Sequence, residues 1–331
     1  MRNLQARTVL AAHGIMNLSR AQRVQQLGCE DRLQSLLPDT VRVNVPKVAS
    51  TRRPQNKPKM GQHFLASEEY AARVVDALGD VSQCTVLEIG PGRGVLTSLL
   101  ARRARRLIAV ELDRVLAAQL RLKFGMDRNV EVIEADVLAI DFDSLFGPKP
   151  GLSRPGIDLK PQPVKVVGNL PYYITSDILL RLFKYSKYFE SIVIMVQREV
   201  ADRIAAEPGG RDYGMLSATA QLYARVENLF TLPPAAFVPP PKVHSSVLRL
   251  TIDPQQEKLG VAGDGFIDFL RLSFGQKRKT LWNNLKIEYD GPELKRALAE
   301  AKVKPTARAE TLSLEESAAV FRALRKAERA S

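Results

Sequence analysis

The chain reads TVLEIGPGRG at residues 85–94, and this stretch decides the fold. Its first five residues form a β-type run, and three glycines follow within the next five. Residues 95–104 then carry apolar side chains at helical spacing. A strand, a glycine turn and a helix in this order predict a βα unit of an open α/β sheet, whose ligands bind at the carboxyl ends of the strands.

Further segments extend this predicted sheet. Residues 107–110 and 130–133 read as strands that end close to Glu111 and Asp136, and residues 165–168 read as a buried parallel strand. Glu111 lies at a distance from the glycine turn at which an acidic side chain can accept hydrogen bonds from ribose hydroxyls. Asp136 is placed to accept a hydrogen bond from an adenine amino group. The set fits S-adenosylmethionine, although each acid alone could be a surface or helix-capping carboxylate. The remaining strands are predicted at residues 189–197, 224–232 and 243–252.

The segment after residues 165–168 reads Asn169-Leu170-Pro171-Tyr172. An aromatic amine is a poor nucleophile because its lone pair is delocalised, and two acceptors that hold its N–H groups raise its reactivity. The Asn169 side-chain oxygen and the Leu170 carbonyl can be these acceptors, since Pro171 biases the preceding residue toward an extended conformation. Tyr172 offers a ring face for stacking. The segment predicts methylation of a planar exocyclic amine; the alternative is a strand-to-helix turn that happens to contain proline and tyrosine.

Seven motifs occur in order along the chain and are specific as a set. They are GQHFL at 61–65, EIGPG at 88–92, VELD at 110–113, EAD at 134–136, GNLPY at 168–172, YGMLS at 213–217 and FVPPPKV at 237–243. With these motifs the chain resembles the small-subunit ribosomal RNA adenine dimethyltransferases of the kasugamycin-sensitivity type, over roughly residues 57–326. The resemblance implies an α/β, Rossmann-like S-adenosylmethionine-dependent methyltransferase fold with a small all-α C-terminal domain.

The resemblance also implies roles for particular residues. The residues that would contact S-adenosylmethionine are His63, Leu65, Gly90, Glu111, Asp136 and Asn169. Asn169 and Tyr172 would also hold the target adenine, with Phe237 as the second aromatic wall; a core aromatic is the alternative for Phe237. His63 departs from the family, which more often carries Asn at this position. A histidine can also donate a hydrogen bond, and the sequence leaves open which ring nitrogen does so.

By the same resemblance, the substrate would be two adjacent adenosines in a loop near the 3′ end of small-subunit ribosomal RNA. The expected partner is the immature small ribosomal subunit, with a role in its biogenesis, and a monomer is expected. Three alternatives stay open: a DNA adenine methyltransferase, a large-subunit antibiotic-resistance methylase, and an assembly or organellar transcription factor whose methylation is dispensable. The short helical C-terminal part disfavours the first, and the triple-proline corner disfavours the second.

Composition and periodicity predict the domain organisation. We expect a basic N-terminal extension at residues 1–56, disordered or a start-site artefact, a Rossmann-like methyltransferase domain at residues 57–253, and a helical RNA-binding domain at residues 254–331. Residues 253–264 are polar and lack periodicity, which is typical of a linker. Residues 147–163 mix Gly, Pro and Lys and predict a long surface loop.

The C-terminal part contains the best candidate for RNA contact. Helical patterns occupy residues 265–275, 291–300 and 314–326. A capping box at residues 313–316 opens the last of these helices. Lys277, Arg278 and Lys279 lie near the beginning of another helix, whose apolar stripe starts at Leu281. These three side chains are candidate phosphate contacts, and a solvated charged face is the alternative.

The net charge of +13 is distributed unevenly. Residues 1–59 carry 11 basic and 3 acidic side chains, residues 60–253 carry 23 and 22, and residues 254–331 carry 15 and 11, which gives +8, +1 and +4. The middle region is therefore nearly neutral. Because most of the excess lies outside the family resemblance, local clusters rather than net charge must support an RNA partner.

The remaining composition bounds the location and excludes several classes. No run of 18 apolar residues exists, so no membrane span is expected. Cys29 and Cys84 are the two cysteines of the chain, so a disulfide framework is not expected. The histidines are scattered and do not have the spacing of a metal site. We expect a cytoplasmic protein without a metal. A mitochondrial transit peptide is a competing interpretation of the Arg-rich residues 1–56, which the acidic pair at residues 30–31 disfavours.

Overall fold

The computed structural model describes residues 63–147, 163–171, 173–261 and 265–328. The predictions for residues 1–56, for Tyr172 and for most of the loop at 147–163 lie outside the described residues. Within the described ranges, no helix combines the length and apolar character needed to cross a membrane.

Nine strands occur in the described residues. They are β1 Phe64–Leu65, β2 Thr85–Ile89, β3 Arg106–Glu111, β4 Val130–Glu134, β5 Val164–Asn169, β6 Phe189–Gln197, β7 Ala224–Leu232, β8 Phe237–Val238 and β9 Ser245–Ile252. The α-helices are α1 Glu68–Asp76, α2 Val95–Leu100, α3 Arg114–Phe124, α4 Phe142–Phe146, α5 Thr175–Lys184, α6 Arg198–Ile204, α7 Met215–Tyr223, α8 Gly265–Ser273, α9 Leu281–Leu285, α10 Gly291–Glu300 and α11 Leu314–Glu328. The strands that the sequence predicts are present, with bounds that differ by at most two residues.

The main sheet has the strand order β4-β3-β2-β5-β6-β9-β7. The five strands from β4 to β6 are parallel, and β9 pairs antiparallel with both β6 and β7. The chain moves outward from β2 through β3 to β4 and then returns to β5 on the other side of β2. The strand order therefore reverses between β2 and β5, and open α/β sheets bind ligands at such a switch point.

Both faces of the central strand β2 are buried, as expected for a parallel strand with helices on both sides. All five residues of β2 are buried. Leu87 and Ile89 belong to the core on the side of α4 and α5, and Val86 belongs to the core on the side of α1 and α2. Alternate residues of one strand thus anchor the two helical layers, which holds the end of β2 in place.

Helix α2 ends earlier than its apolar pattern predicts. The sequence predicts a helix to residue 104, but α2 ends at Leu100. The Asn129 side-chain nitrogen donates to the carbonyl oxygens of Ala101 and Ala104, each at 2.9 Å. A side chain 25 or more residues away therefore satisfies carbonyls at the end of this helix.

The C-terminal helices share a core with α7. Tyr213 and Leu222 pack in the same cluster as buried residues of α8, α9, α10 and α11. The three predicted helices are confirmed, and so is the capping box: the Ser313 amide donates to Glu316 at 2.9 Å and the Glu316 amide donates to the Ser313 hydroxyl at 3.2 Å. The amide of Gln255 also donates to the Leu222 carbonyl at 2.8 Å. The domain boundary at residue 253 stays a prediction.

Candidate active site

A cavity of about 240 Å³ lies at the carboxyl ends of β2, β3, β4 and β5. Its lining residues at strand ends are Ile89, Gly90 and Gly92 at β2, residues 110–113 at β3, residues 135–137 after β4, and residues 169–171 at β5. The cavity thus spans the switch point between β2 and β5. Of the predicted cofactor contacts, His63, Gly90, Glu111, Asp136 and Asn169 all line it.

The glycine turn needs residues without side chains. Gly90, Gly92 and Gly94 have φ of +67°, +57° and +76°, in the left-handed region that favours glycine. A Cβ at Gly92 would lie 2.7 Å from the Phe64 ring, and one at Gly94 would lie 2.8 Å from a Leu120 methyl. The turn is therefore pressed between β1 and α3, and its backbone borders the cavity directly.

Glu111 is held at the cavity by the backbone. Its side chain is buried, one carboxylate oxygen accepts from the Gly92 amide at 3.0 Å, and the other accepts from the Asp113 amide at 2.9 Å. A carboxylate has about four acceptor sites, so further donors can still be received. A fixed anion with spare acceptor capacity is suited to the two hydroxyls of a ribose.

Asp136 is both a helix-capping carboxylate and a cavity residue, the two roles that the sequence left open. It is the N-cap of a short 3-10 helix, Val137–Ala139, where one side-chain oxygen accepts from the Leu138 amide at 2.9 Å. The side chain is nevertheless exposed and lines the cavity. The capping bond orients the carboxylate and leaves its other oxygen able to accept from an amino group.

Asn169 ends β5 and is half-buried. Its amide nitrogen donates to the His63 carbonyl oxygen at 2.8 Å. Because a carbonyl can only accept, this partner determines which way the amide is turned, and the Asn169 oxygen remains an acceptor. Leu170 follows, buried, with its amide bonded to the Met195 carbonyl at 3.1 Å. Within the described residues, no hydrogen bond reaches the Leu170 carbonyl oxygen.

The segment that begins at His63 is hydrogen-bonded to β8 and to the triple-proline corner. Strand β1 pairs antiparallel with β8, so that Leu65 opposes Phe237. The Nδ1 atom of His63 lies 2.8 Å from the Pro239 carbonyl oxygen. Since that oxygen only accepts, Nδ1 carries the hydrogen and donates. This bond ties the cavity wall to the triple-proline corner.

Leu65 and Phe237 are placed away from the cavity. Both are buried in the core beside α1 and α2, with Phe237 only 1% exposed, and neither lines the cavity. The structure therefore does not bring the Phe237 ring to the position of a second aromatic wall, since its pairing with β1 covers it. The roles of both residues stay predictions, as does that of Tyr172.

Tyr173 is a cavity residue that the sequence reasoning missed. It lines the cavity and is 77% exposed. Its only signal in the sequence is a second tyrosine directly after the Asn-Leu-Pro-Tyr segment. Whether such a residue is buried or faces the cavity depends on the turn, which the pattern alone does not specify.

Glu88 is a buried acid directly before the glycine turn. It is 1% exposed, and neither of its oxygens has a hydrogen bond of ordinary geometry to a described residue. Burial is the main cause that raises the pKa of Glu88 to about 8; Thr97 offsets part of the shift and the Glu111 carboxylate adds to it. At neutral pH the Glu88 side chain is therefore mostly uncharged.

The basic residues at the C-terminal part precede a helix rather than lie in it. Helix α9 begins at Leu281, with the Thr280 hydroxyl accepting from the Asn283 amide at 3.3 Å. Residues 277–279 are exposed in the turn before this cap. We call residues 277–279 the basic turn. The Lys277 ammonium donates to the Arg211 carbonyl at 2.8 Å, which joins the basic turn to the segment before α7.

The part of the chain that the structure describes contains no group of three or more His, Cys, Asp or Glu side chains that could hold a metal ion. Cys84, which is buried at the start of β2, is not paired in a disulfide. The cavity presents backbone amides, the acidic residues Glu111, Asp113 and Asp136, an amide oxygen and apolar walls. This donor set fits the ribose, adenine and aliphatic parts of S-adenosylmethionine.

Comparison with known proteins agrees with this geometry. The family model for "Ribosomal RNA adenine dimethylase" matches residues 53–326. The ribosomal RNA small subunit methyltransferase A of Koribacter versatilis (strain Ellin345) is 54% identical over 284 residues, which cover 85% of this chain and 100% of that protein. The protein of the same name from Acidobacterium capsulatum is 53% identical over 271 residues, which cover 82% of this chain and 92% of the relative.

Two solved structures share the fold. A dimethyladenosine transferase from Plasmodium falciparum matches with a TM-score of 0.63 at 23% identity, over 80% of this chain and 98% of that one. The 23S rRNA methyltransferase ErmE matches with a TM-score of 0.56 at 26% identity, over 79% of this chain and 99% of that one. The sheet, the glycine turn and the acidic cavity define a Rossmann-like methyltransferase that uses S-adenosylmethionine.

The chain belongs to the ribosomal RNA adenine dimethylase family. Membership confirms the predicted enzyme class, an rRNA adenine N6,N6-dimethyltransferase, and its S-adenosylmethionine dependence. It also confirms ribosomal RNA as the substrate class. The residues assigned to each step stay predictions.

Proposed function

We propose that the protein dimethylates the exocyclic amines of two adjacent adenosines near the 3′ end of small-subunit ribosomal RNA. The orientation of the Asn169 amide supports this assignment most directly. Its nitrogen is engaged by the His63 carbonyl, which leaves the oxygen as an acceptor at the end of β5, beside the glycine turn of β2. An acceptor that cannot rotate away is what a weakly nucleophilic aromatic amine needs.

The chain's own residues would act by holding and orienting both reactants. Gly90, Glu111 and Asp136 would hold S-adenosylmethionine, which supplies an activated methyl group on its sulfonium. The Asn169 oxygen and the Leu170 carbonyl would accept the two N–H groups of the target amine. Positioning of this kind can supply much of the rate acceleration because the reactants are already aligned.

The transfer needs no general base before attack. The adenine nitrogen held by Asn169 and Leu170 would take the methyl group from the sulfonium, S-adenosylhomocysteine would leave as a neutral thioether, and the methylated amine would then lose its proton to water. A second cycle on the same nitrogen gives the dimethylated base. The target adenosine must first leave its helical stack, and Tyr172 would offer the ring that receives it.

Sequence identity favours the small subunit as the site of action. The relatives named ribosomal RNA small subunit methyltransferase A are 54% and 53% identical to this chain, whereas the 23S rRNA methyltransferase ErmE is 26% identical. We infer that the partner is the immature small subunit, that the enzyme acts as a monomer, and that it works in the cytoplasm. Cell fractionation tests the location, since mitochondrial residence with cleavage near residue 50 would support a transit peptide instead.

Expression of Asn169→Ala in a deletion strain tests the assigned chemistry. Mass spectrometry of small-subunit RNA should show dimethyladenosine with the wild-type chain and its loss with the variant, because one preorganised hydrogen bond is worth about 10²–10³ in rate. Asn129→Ala is the matched control. It removes a side-chain amide that lies outside the cavity and contacts the end of α2, and it should restore methylation.

Three outcomes separate the remaining interpretations. Restored dimethylation by Asn169→Ala would reject the assigned role of Asn169. Dimethyladenosine in large-subunit RNA rather than small-subunit RNA would reject the proposed substrate. Normal subunit maturation without methylation would make assembly the primary role of the protein.

A further inference from the structure

Tyr173 is exposed, and hydrogen bonds hold residues on either side of it along the chain. The Pro171 carbonyl accepts from the Ile174 amide at 3.2 Å and from the Thr175 hydroxyl at 3.1 Å. On the other side, the Leu170 amide is bonded to β6 through Met195 at 3.1 Å. Hydrogen bonds thus hold Leu170, Pro171 and Ile174 close to Tyr173 before α5 begins, and the Tyr173 side chain is 77% exposed.

The position of this ring relative to the cavity is informative. Tyr173 lines the cavity from the β5 side, as do Asn169 and Leu170, whereas the other exposed apolar residue at the rim, Leu112, follows β3. The β3 side carries Glu111 and is suited to the cofactor. The exposed Tyr173 ring thus lies on the same side of the cavity as Asn169 and Leu170, the residues assigned to the target amine.

From this geometry we propose that Tyr173 is a stacking platform for the nucleotide next to the adenosine that occupies the cavity. The inference rests on the proposed function and deepens it, because that substrate has two adjacent target adenosines. When one base leaves the stack, its neighbour loses a stacking partner. The Tyr173 ring replaces that partner and keeps the second adenosine close to the cavity. Every base has a π face, so this contact requires the ring but not the hydroxyl.

Steady-state kinetics with immature small subunits and saturating S-adenosylmethionine test the platform. Tyr173→Ala should raise KM for the subunit by about 5- to 150-fold, the range expected for loss of one base–aromatic stack. Tyr173→Phe should stay within about twofold of wild type, because the ring is kept. Tyr173→Leu keeps an apolar side chain without a π face and should behave like Tyr173→Ala. Leu122→Ala, which shortens an 87% exposed residue of α3 outside the cavity, is the control.

A spectroscopic readout separates stacking from a structural role. Small subunits are prepared with 2-aminopurine beside the target adenosine, and its fluorescence falls when the base stacks. Binding of wild type and of Tyr173→Phe should quench the fluorescence, whereas Tyr173→Ala should not. Equal quenching by wild type and Tyr173→Ala, or no quenching by wild type, would overturn the platform.

The two proposals fail in different ways. If wild type methylates small-subunit adenosines and Tyr173→Ala has an unchanged KM, only the platform is rejected. If wild type leaves these adenosines unmethylated, the proposed function itself is rejected. A KM increase in Tyr173→Phe equal to that in Tyr173→Ala would also reject the platform, because the hydroxyl rather than the ring would then matter.

Discussion

The cavity at the switch point and two residues of the basic turn, Arg278 and Lys279, hold their polar groups in opposite ways. At the cavity, both oxygens of Glu111 and the nitrogen of Asn169 are engaged by backbone partners at 2.8–3.0 Å. In the basic turn, Arg278 and Lys279 are exposed and form no ion pair with a described residue. Methyl transfer depends on fixed atomic positions, whereas phosphate contacts act through charge and tolerate mobile side chains. The contrast predicts that single substitutions have large effects at the cavity and graded effects at the basic turn.

Glu111→Ala should produce the largest effect on a single ligand. Removing the charged acceptor of the ribose hydroxyls should weaken S-adenosylmethionine binding by at least about 10- to 150-fold, which corresponds to the loss of one hydrogen bond to a charged group at about 1.5–3 kcal/mol. Calorimetry with the full chain measures this. Glu131→Ala removes the same charge from β4 outside the cavity and should bind normally. Unchanged affinity in a folded Glu111→Ala protein would remove Glu111 from the site.

Replacement of Lys277, Arg278 and Lys279 by Ala should weaken RNA binding and leave S-adenosylmethionine affinity intact. Each phosphate contact that is lost should reduce the salt slope of RNA binding by about 0.7–0.9. Titrations at several salt concentrations measure the slope. An unchanged slope would make the basic turn a solvated charged surface.

A control with the same charge change sharpens this test. Lys295, Arg296 and Lys304 are exposed basic residues elsewhere in the C-terminal part. Their joint replacement by Ala changes the net charge by the same amount. If binding depends on the location of the basic turn, this control should reduce the slope less; equal reductions would show that only total charge matters.

Substitution of Glu88 should have a smaller and more gradual effect, which is on the pH dependence of stability. Its pKa is raised to about 8 in the folded state, so the native protein binds a proton that the unfolded chain releases above its ordinary pKa of 4.5. The contribution of this proton to the free energy of unfolding is fully present below about pH 4.5 and is lost as the pH rises toward about 8. The free energy of unfolding falls over this range by at most about 1.4 kcal/mol per pH unit. Glu88→Gln should remove this slope.

Denaturant unfolding between pH 5 and 9 measures the difference between wild type and Glu88→Gln. The exposed Glu69, when changed to Gln, should keep the wild-type profile. If Glu88→Gln also keeps the wild-type slope, Glu88 is not the titrating group. A flat profile in both would show that its carboxyl is ionised in the folded protein.

Sequence reasoning predicted most elements because their signals are local. The run at residues 85–89 and the three glycines after it specify a buried strand and a tight turn, and the structure has both. It failed where a partner far along the chain decides the outcome. Asn129 lies outside the helical pattern of residues 95–104. Its side chain nevertheless donates to the carbonyls of Ala101 and Ala104, which follow the end of α2 at Leu100.

The sequence by itself determined the α/β class, the order of the strands along the chain, the family and the reaction. Each of these depends on patterns within a few neighbouring residues or on a set of motifs in order. The tertiary structure decided the burial of Phe237 against β1, the orientation of the Asn169 amide, the raised pKa of Glu88 and the exposure of Tyr173. The reason is physical. Burial, hydrogen-bond direction and local charge depend on groups brought together by folding; Asn169 and His63, for example, are 106 residues apart.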